Sequence, residues 1–228
     1  MLLSLLCITQ GASSTRPLLA DMAQLATLLD AEFTVVADGW MAQAELREYP
    51  VNLVPVKSQG YVESVLDYGV QHCHGDYVLR LDDDERCSPA MVTWLRSRKY
   101  EAADHWKFPR MHLWGDAESV LMAAPLFPDH QTRLSVVTKA GGRPSLHAQS
   151  PFGDGELAPV AIEHHKFLVK SRMERERTAA KWHQADMKVF SLPEDVLHDA
   201  LLVEKGDGRV PWTPKWSRRF SLQTSKGG

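Results

Sequence analysis

The chain has 228 residues, 44% of them apolar and 24% charged, with a formal net charge of −3. That length suits one core rather than two full domains, and the charge balance gives no general attraction to nucleic acid or an anionic membrane. The three cysteines, Cys7, Cys73 and Cys87, show no CxxC spacing; this argues against a disulfide framework or a thiolate zinc site and for a reducing, cytoplasmic setting.

The first half alternates strand and helix signals, the pattern of a parallel sheet covered on both faces. Residues 2–9 are a continuous apolar run closed by Gln10-Gly11, which reads as a central parallel strand with a loop at its carboxyl end. The apolar opening lacks a basic start and a small-residue cleavage pattern, so it does not read as a signal peptide. No stretch reaches the roughly 20 apolar residues needed to cross a bilayer. Leu18, Met22, Leu25 and Leu29 then recur at helical spacing behind Pro17.

Residues 33–37 form a second β-rich run closed by Asp38-Gly39, and residues 51–56 a third. Val62, Val65, Leu66, Gly69, Val70 and Cys73 share one helical face, predicting a helix within 58–73 that Gly75 ends. Residues 77–81 read as a buried strand that runs directly into Asp82. Ser88-Pro89 has the form of an N-cap followed by a first-turn proline, opening a helix through Leu95 toward the basic Arg96, Arg98 and Lys99.

Residues 106–138 suggest a strand, a long loop and another strand, and residues 139–159, rich in Gly, Pro, Ser and His, suggest a loop over the site. A charged helix with a thin apolar face is expected over about 167–188. Beyond Lys205, a tail carrying Trp212 and Trp216 reads as a docking arm or a disordered segment.

Asp82-Asp83-Asp84-Glu85 places four carboxylates at the carboxyl end of a strand, the edge where open α/β sheets bind ligands. Adjacent carboxylates repel one another and call for a counter-charge such as a divalent cation. An all-oxygen ligand set suits Mg or Mn and leaves positions for phosphate oxygens and water. The plainer alternative is a solvated acidic turn.

Ser58-Gln59-Gly60, the amphipathic helix after it, and Gly75-Asp76-Tyr77-Val78-Leu79-Arg80-Leu81-Asp82-Asp83-Asp84-Glu85 together resemble the donor-binding segment of glycosyltransferase family 2. The resemblance extends over roughly residues 2–190 and is strongest from 51 to 95. It implies a GT-A, Rossmann-like, mostly parallel sheet flanked by helices, a single domain over 1–190 with a C-terminal extension or tail at 191–228. The donor-binding half would span about 1–98 and the acceptor and metal-closing half about 99–190. The implied activity is metal-dependent transfer of a hexose-like unit from a nucleotide diphosphate sugar to a glycan or other hydroxyl acceptor, with inversion.

By the same resemblance Asp82 lies near the ribose and Asp84 coordinates the Mn or Mg ion that clamps the donor diphosphate, with Asp83 in the variable middle place. Thr9 and Gln10 would add donor-loop contacts, and Asp38 would bind the base or ribose.

A second set of segments, Trp106-Lys107-Phe108-Pro109-Arg110, Leu113-Trp114-Gly115-Asp116 and Phe127-Pro128-Asp129-His130-Gln131-Thr132-Arg133-Leu134, resembles the acceptor side of bacterial sugar transferases in that family. Inverting transfer needs a carboxylate to take the acceptor proton. Asp129 is the candidate, with Asp116 and Asp154 as rivals; the family's more usual Glu-Asp base motif is not evident. Arg133, Arg110 and Lys107 are candidates for phosphate or acceptor contacts, and Trp106 and Trp114 either stack on sugars or pack in the core.

Glu163-His164-His165 resembles the family's closing segment, where a histidine returns to the metal. Adjacent strand residues face opposite ways, so one of His164 and His165 is expected to do so, His165 being preferred. Lys166, Lys170 and Arg172 would then meet the diphosphate or face water, while the Glu and Arg alternation over 172–177 reads as helix-surface pairing.

Two rival classes remain at this stage. A sugar nucleotidyltransferase would carry a Gly-rich basic loop after the first strand, which residues 10–16 imitate only weakly. A non-catalytic glycan- or metal-binding module would keep the acidic cluster without turnover.

Overall fold

The computed structural model describes residues 1–12, 14–39, 50–57, 62–121, 126, 129–139 and 155–185. The segment 58–61, the residue pair Phe127-Pro128, Asp154 and the tail with its tryptophans lie outside the described residues.

The sequence's parallel half is present. Strands β1 (Leu3–Thr9), β2 (Glu32–Asp38), β3 (Val51–Val56) and β4 (Tyr77–Asp82) lie in the order β3-β2-β1-β4, all parallel. Helix α1 (Arg16–Leu29) connects β1 to β2, and a 3-10 turn at Val62–Val65 leads into α2 (Leu66–Gln71) before β4. The continuous helix expected within 58–73 is thus a 3-10 turn and a short helix. Val65 at the junction offers no side-chain cap, so the buried set Leu66, Gly69 and Val70 holds this segment by packing.

β1 is buried along its whole length because both faces of the sheet are covered. Leu3, Leu5 and Cys7 pack with α1 and with α3 (Pro89–Arg96) in one core. Leu6 and Ile8 pack with Val36, Val54, Leu66, Val70 and Val78 in a second core on the other face. Gly75 has to be glycine where the chain enters β4: a Cβ there would stand 2.7 Å from Ser4 Oγ and 2.8 Å from Ser4 N. Ser88 caps α3, its hydroxyl accepting from the Met91 amide at 3.2 Å, with proline in the first turn.

Beyond β4 the strand directions mix. β8 (Asp129–Val136) is antiparallel to β4, and β6 (His105–Trp114) is antiparallel to β8. β10 (Ile162–His164) then runs parallel to β6, and β5 (Glu85–Cys87) closes the path antiparallel to β10. β7 (Asp116–Val120) returns on β6 through Gly115, at φ 71°, and β9 (Glu156–Leu157) adds to β6 lower down. The expected strand, loop and strand over 106–138 is therefore three strands, because Gly115 allows a tight hairpin.

The charged helix expected over 167–188 is two pieces, α4 (Lys166–Val169) and α5 (Arg172–Ala185). Ser171 separates them as an N-cap: its hydroxyl accepts from the Glu174 amide, and the Glu174 carboxylate accepts from the Ser171 amide at 2.8 Å. Such a reciprocal cap starts a new helix. Among the described residues no helix is long and apolar enough to cross a membrane.

Candidate functional site

Register brings the carboxyl ends of three parallel strands together. Thr9 pairs with Ala37 beside Asp38, and Ile8 pairs with Asp82. The turn after β4 then carries Asp83 and Asp84, and the Asp82 amide donates to Glu85 Oε2 at 2.9 Å to close it. Asp84 and Glu85 are almost fully enclosed, at 3% and 0% exposure. Unpaired carboxylates cannot stay ionised at such burial, so their partners define the site.

Three arginines stand under the cluster. Leu79 and Leu81 of β4 belong to the first core, whereas Arg80 between them faces the opposite way and its guanidinium donates to Asp82 Oδ1 at 2.9 Å. Arg133 of β8 donates to Asp82 Oδ2 at 2.6 Å and to Glu85 Oε1 at 2.8 Å. Arg110 of β6 donates to the same Glu85 oxygen at 2.9 Å and grips Asp129 Oδ2 through two nitrogens. Burial works to raise the Asp82 pKa, but Arg133 and Arg80 outweigh it and hold the carboxyl below the usual range.

On the other side of the turn the cation is a lysine. Lys170, between α4 and α5, donates to Asp84 Oδ2 at 2.6 Å and lies 3.5 Å from Asp83 Oδ1. Burial opposes the ammonium charge, but Asp84 and Asp83 prevail and raise its pKa. Asp84 is held well below the usual range: burial pushes up, while Lys170 and His164 pull down harder. Asp83 goes the other way, raised by burial despite Lys170. The counter-charge that the acidic run calls for is thus already met, in large part, by protein cations.

Four groups, the partly buried Asp129 and the buried His112, His164 and Asp84, form a line through this region. Asp129 Oδ2 meets His112 Nε2 at 3.1 Å, His112 Nδ1 meets His164 Nδ1 at 2.9 Å, and His164 Nε2 meets Asp84 Oδ1 at 3.1 Å. Burial lowers the His112 pKa to about 4 and the His164 pKa to about 3, so both rings are neutral at physiological pH. Burial also acts to raise Asp129, yet Arg110 and His112 hold it below the carboxylate range.

The imidazole that reaches Asp84 is His164, not the preferred His165. His164 points inward from β10, whereas His165 caps α4, gives its backbone amide to the Asp84 carbonyl at 2.7 Å, and has Glu163 as its carboxylate neighbour at 3.5 Å. Thr9 donates its hydroxyl to Asp83 Oδ2 at 2.7 Å and accepts the Gly11 amide, which ties the first loop to the acidic turn. Gln10 donates to Asp38 Oδ2 at 3.0 Å, so these two donor-side residues sit together at the ends of β1 and β2.

The aromatic residues pack. Trp106 donates its indole N–H to the Tyr100 carbonyl and stands edge-on to Trp94, and Trp114, 6% exposed, lies against Phe167. Asp116 Oδ1 accepts the Glu118 amide in the exposed β6-β7 turn. Arg172 pairs with Glu176 on the helix surface, as the alternating charges suggest.

Two contributors went unrecognised in the sequence. Arg80 had a signal, a guanidinium in the middle of an apolar strand. His112 had a weaker one, the spacing Arg110-x-His112, which puts both on one strand face. As a cation site, no three Asp, Glu, His or Cys side chains converge ready-made among the described residues. Asp82 is turned to arginines, and the adjacent oxygen and nitrogen donors are Asp84 Oδ1 and His164 Nε2. Such a pair suits a cation that takes its remaining ligands from phosphate and water.

The fold is that of a Rossmann-like glycosyltransferase. The chain is similar in structure to S. aureus TarS, residues 1–349, with a TM-score of 0.52 and 13% identity over 89% of this chain and 69% of that one. The same TarS fragment in complex with UDP-GlcNAc matches at 0.52 and 13%, over 89% and 70% of the two chains. Its complex with UDP matches at 0.51 and 12%, with the same coverage of 89% and 70%. No protein-family model matches the sequence, and no curated protein does.

Proposed function

We propose that this protein is a glycosyltransferase of the family 2 type, moving a hexose-like unit from a nucleotide diphosphate sugar to a hydroxyl of a glycan or related acceptor, with inversion and in the cytoplasm. What carries the reading is the coincidence of two things: a fold shared with a protein that binds UDP-GlcNAc, and carboxylates at the carboxyl ends of β2 and β4, beside the end of β1, with a histidine and a lysine converging on Asp84.

In this reading Gln10 and Asp38 face the nucleoside, and Asp84 with His164 holds a Mn or Mg ion. When bound, that ion supplies positive charge to the departing diphosphate. Lys170 and the arginines add fixed positive potential around the same oxygens, in place before reaction and enclosed enough to act strongly. Asp129 is the base for the acceptor proton. Held by Arg110, it is a weak base until the guanidinium shifts its grip toward Glu85, which Arg110 already touches.

The test is donor binding and turnover in the full chain. Wild type should be stabilised thermally by one nucleotide diphosphate sugar with Mn and much less after chelation, and Asp84→Asn should lose both the Mn-dependent shift and turnover while keeping its circular dichroism. Undiminished Mn-dependent transfer by the Asn variant would refute the assignment.

A further inference from the structure

Parallel pairing of β1 with β4 sets Ile8 against Asp82, so the first loop leaves β1 beside the acidic turn. Asp83 is the residue of that turn that faces the loop. Its Oδ2 accepts the Thr9 hydroxyl at 2.7 Å and stands 3.2 Å from the Thr15 hydroxyl, so one oxygen touches the loop where it begins and where it ends at α1. Both threonines are enclosed, at 2% and 0% exposure.

A hydroxyl has one proton to give. Thr9 Oγ1 accepts the Gly11 amide at 2.9 Å and gives its own proton to Asp83. Thr15 Oγ1 divides its proton between Asp83 and the Ala12 carbonyl at 3.0 Å, and the Thr15 amide donates to that same carbonyl at 3.0 Å. Gly11 turns the chain at φ 69°, which glycine does without steric cost. The loop is thus shaped by a series of hydrogen bonds that ends on a single carboxylate oxygen, and the same frame carries Gln10 to Asp38. The other Asp83 oxygen has Lys170 Nζ at 3.5 Å, whereas that ammonium stands 2.6 Å from Asp84. The nearest partner of Asp83 is therefore a hydroxyl of the loop rather than a cation.

We propose that Asp83 is a positioning residue: as a hydrogen-bond acceptor it clasps both ends of the first loop and so holds the Gln10 and Asp38 pair in the shape that receives the nucleoside of the donor. The inference rests on the donor-binding reading of the proposed function and deepens it, separating the work of the middle carboxylate from that of Asp84. A loop ordered in advance need not be ordered by the ligand, and the gain in affinity lies there.

The test is nucleoside binding to the full chain in chelated buffer, read by saturation-transfer NMR with uridine, cytidine, adenosine and guanosine. A nucleoside has no phosphate for a cation to hold, so the loop is probed apart from the metal. Asp83→Leu should weaken binding of the nucleoside that wild type takes on the order of tenfold, and Asp83→Asn, whose amide oxygen still accepts from Thr9, should not. Thr9→Val should weaken it to the same degree and Thr9→Ser should not, which keeps the test open if Asp83→Leu does not fold. The double variant Thr9→Val/Asp83→Leu should be no weaker than either single one, since both cut the same link. Additive losses, an Asp83→Asn as weak as Asp83→Leu, or an undiminished Thr9→Val overturns the proposal. Wild type that binds nucleotide diphosphates but no nucleoside overturns this inference alone; wild type that binds neither overturns the donor reading with it.

Discussion

Glu85 has no exposed surface, and both its oxygens are committed, one to Arg110 and Arg133 and the other to the Asp82 amide. Such a group is held by its partners rather than by burial, because a lone ionised carboxylate in that position would cost several kcal/mol. Removing one guanidinium should therefore be expensive. Arg133→Met is expected to lower unfolding free energy by about 3–5 kcal/mol, read from urea denaturation, with part recovered by adding Glu85→Gln. A loss under about 1 kcal/mol, the value of a surface pair, would mean that the carboxylate finds other solvation.

At the level of elements, the Ser171 cap is the feature that decides where α5 begins. Glu174 accepts from the Ser171 amide and hydroxyl at 2.8 Å each, and from the Ser14 hydroxyl at 2.8 Å, so it also links α5 to the loop after β1. Ser171→Ala should cost about 0.5–2 kcal/mol, and a denaturation midpoint that does not move would exclude a reciprocal cap.

This cap was readable as Ser171-x-x-Glu174, yet the helical pattern around it obscured the break. The parallel half was legible because each of its strands is short, apolar and followed by a turn or helix signal. Beyond β4, α3 and the long strands β6 and β8 were legible; β5, β9 and β10 were not, having two or three residues each, too few for a period to show. At the site, the acidic run and the closing histidines stood out as residue types. Which of His164 and His165 turns inward depends on where β10 stops and α4 starts, a matter of one residue that local pattern does not define.

For the whole molecule, acid should be destabilising in a defined window. His112 and His164 hold protons less readily when folded, at about 4 and about 3, than the ~6.5 of an unfolded histidine. Asp82, Asp84 and Asp129 are likewise held below the ordinary carboxylate range. For all five the unfolded chain binds more protons, so stability is full above pH ~6.5 and falls as pH drops, through the histidines first and the carboxylates below pH ~4. Asp83, raised by burial, opposes this. The melting temperature of chelator-treated protein should decline from pH 7 to 4.5, and His112→Asn should flatten that slope. A constant value across the window would exclude neutral buried rings.

One strand, β8, carries Asp129 at one end and Arg133 four residues along; residues 129–132 are laddered to β6, and Leu134–Val136 just beyond are laddered to β4. It therefore works as a ruler laid beneath the charged cluster. The gap between the residue proposed for the acceptor and the residue that steadies Asp82 and Glu85 is graduated by backbone pitch, and changes in the surrounding connections leave that calibration untouched.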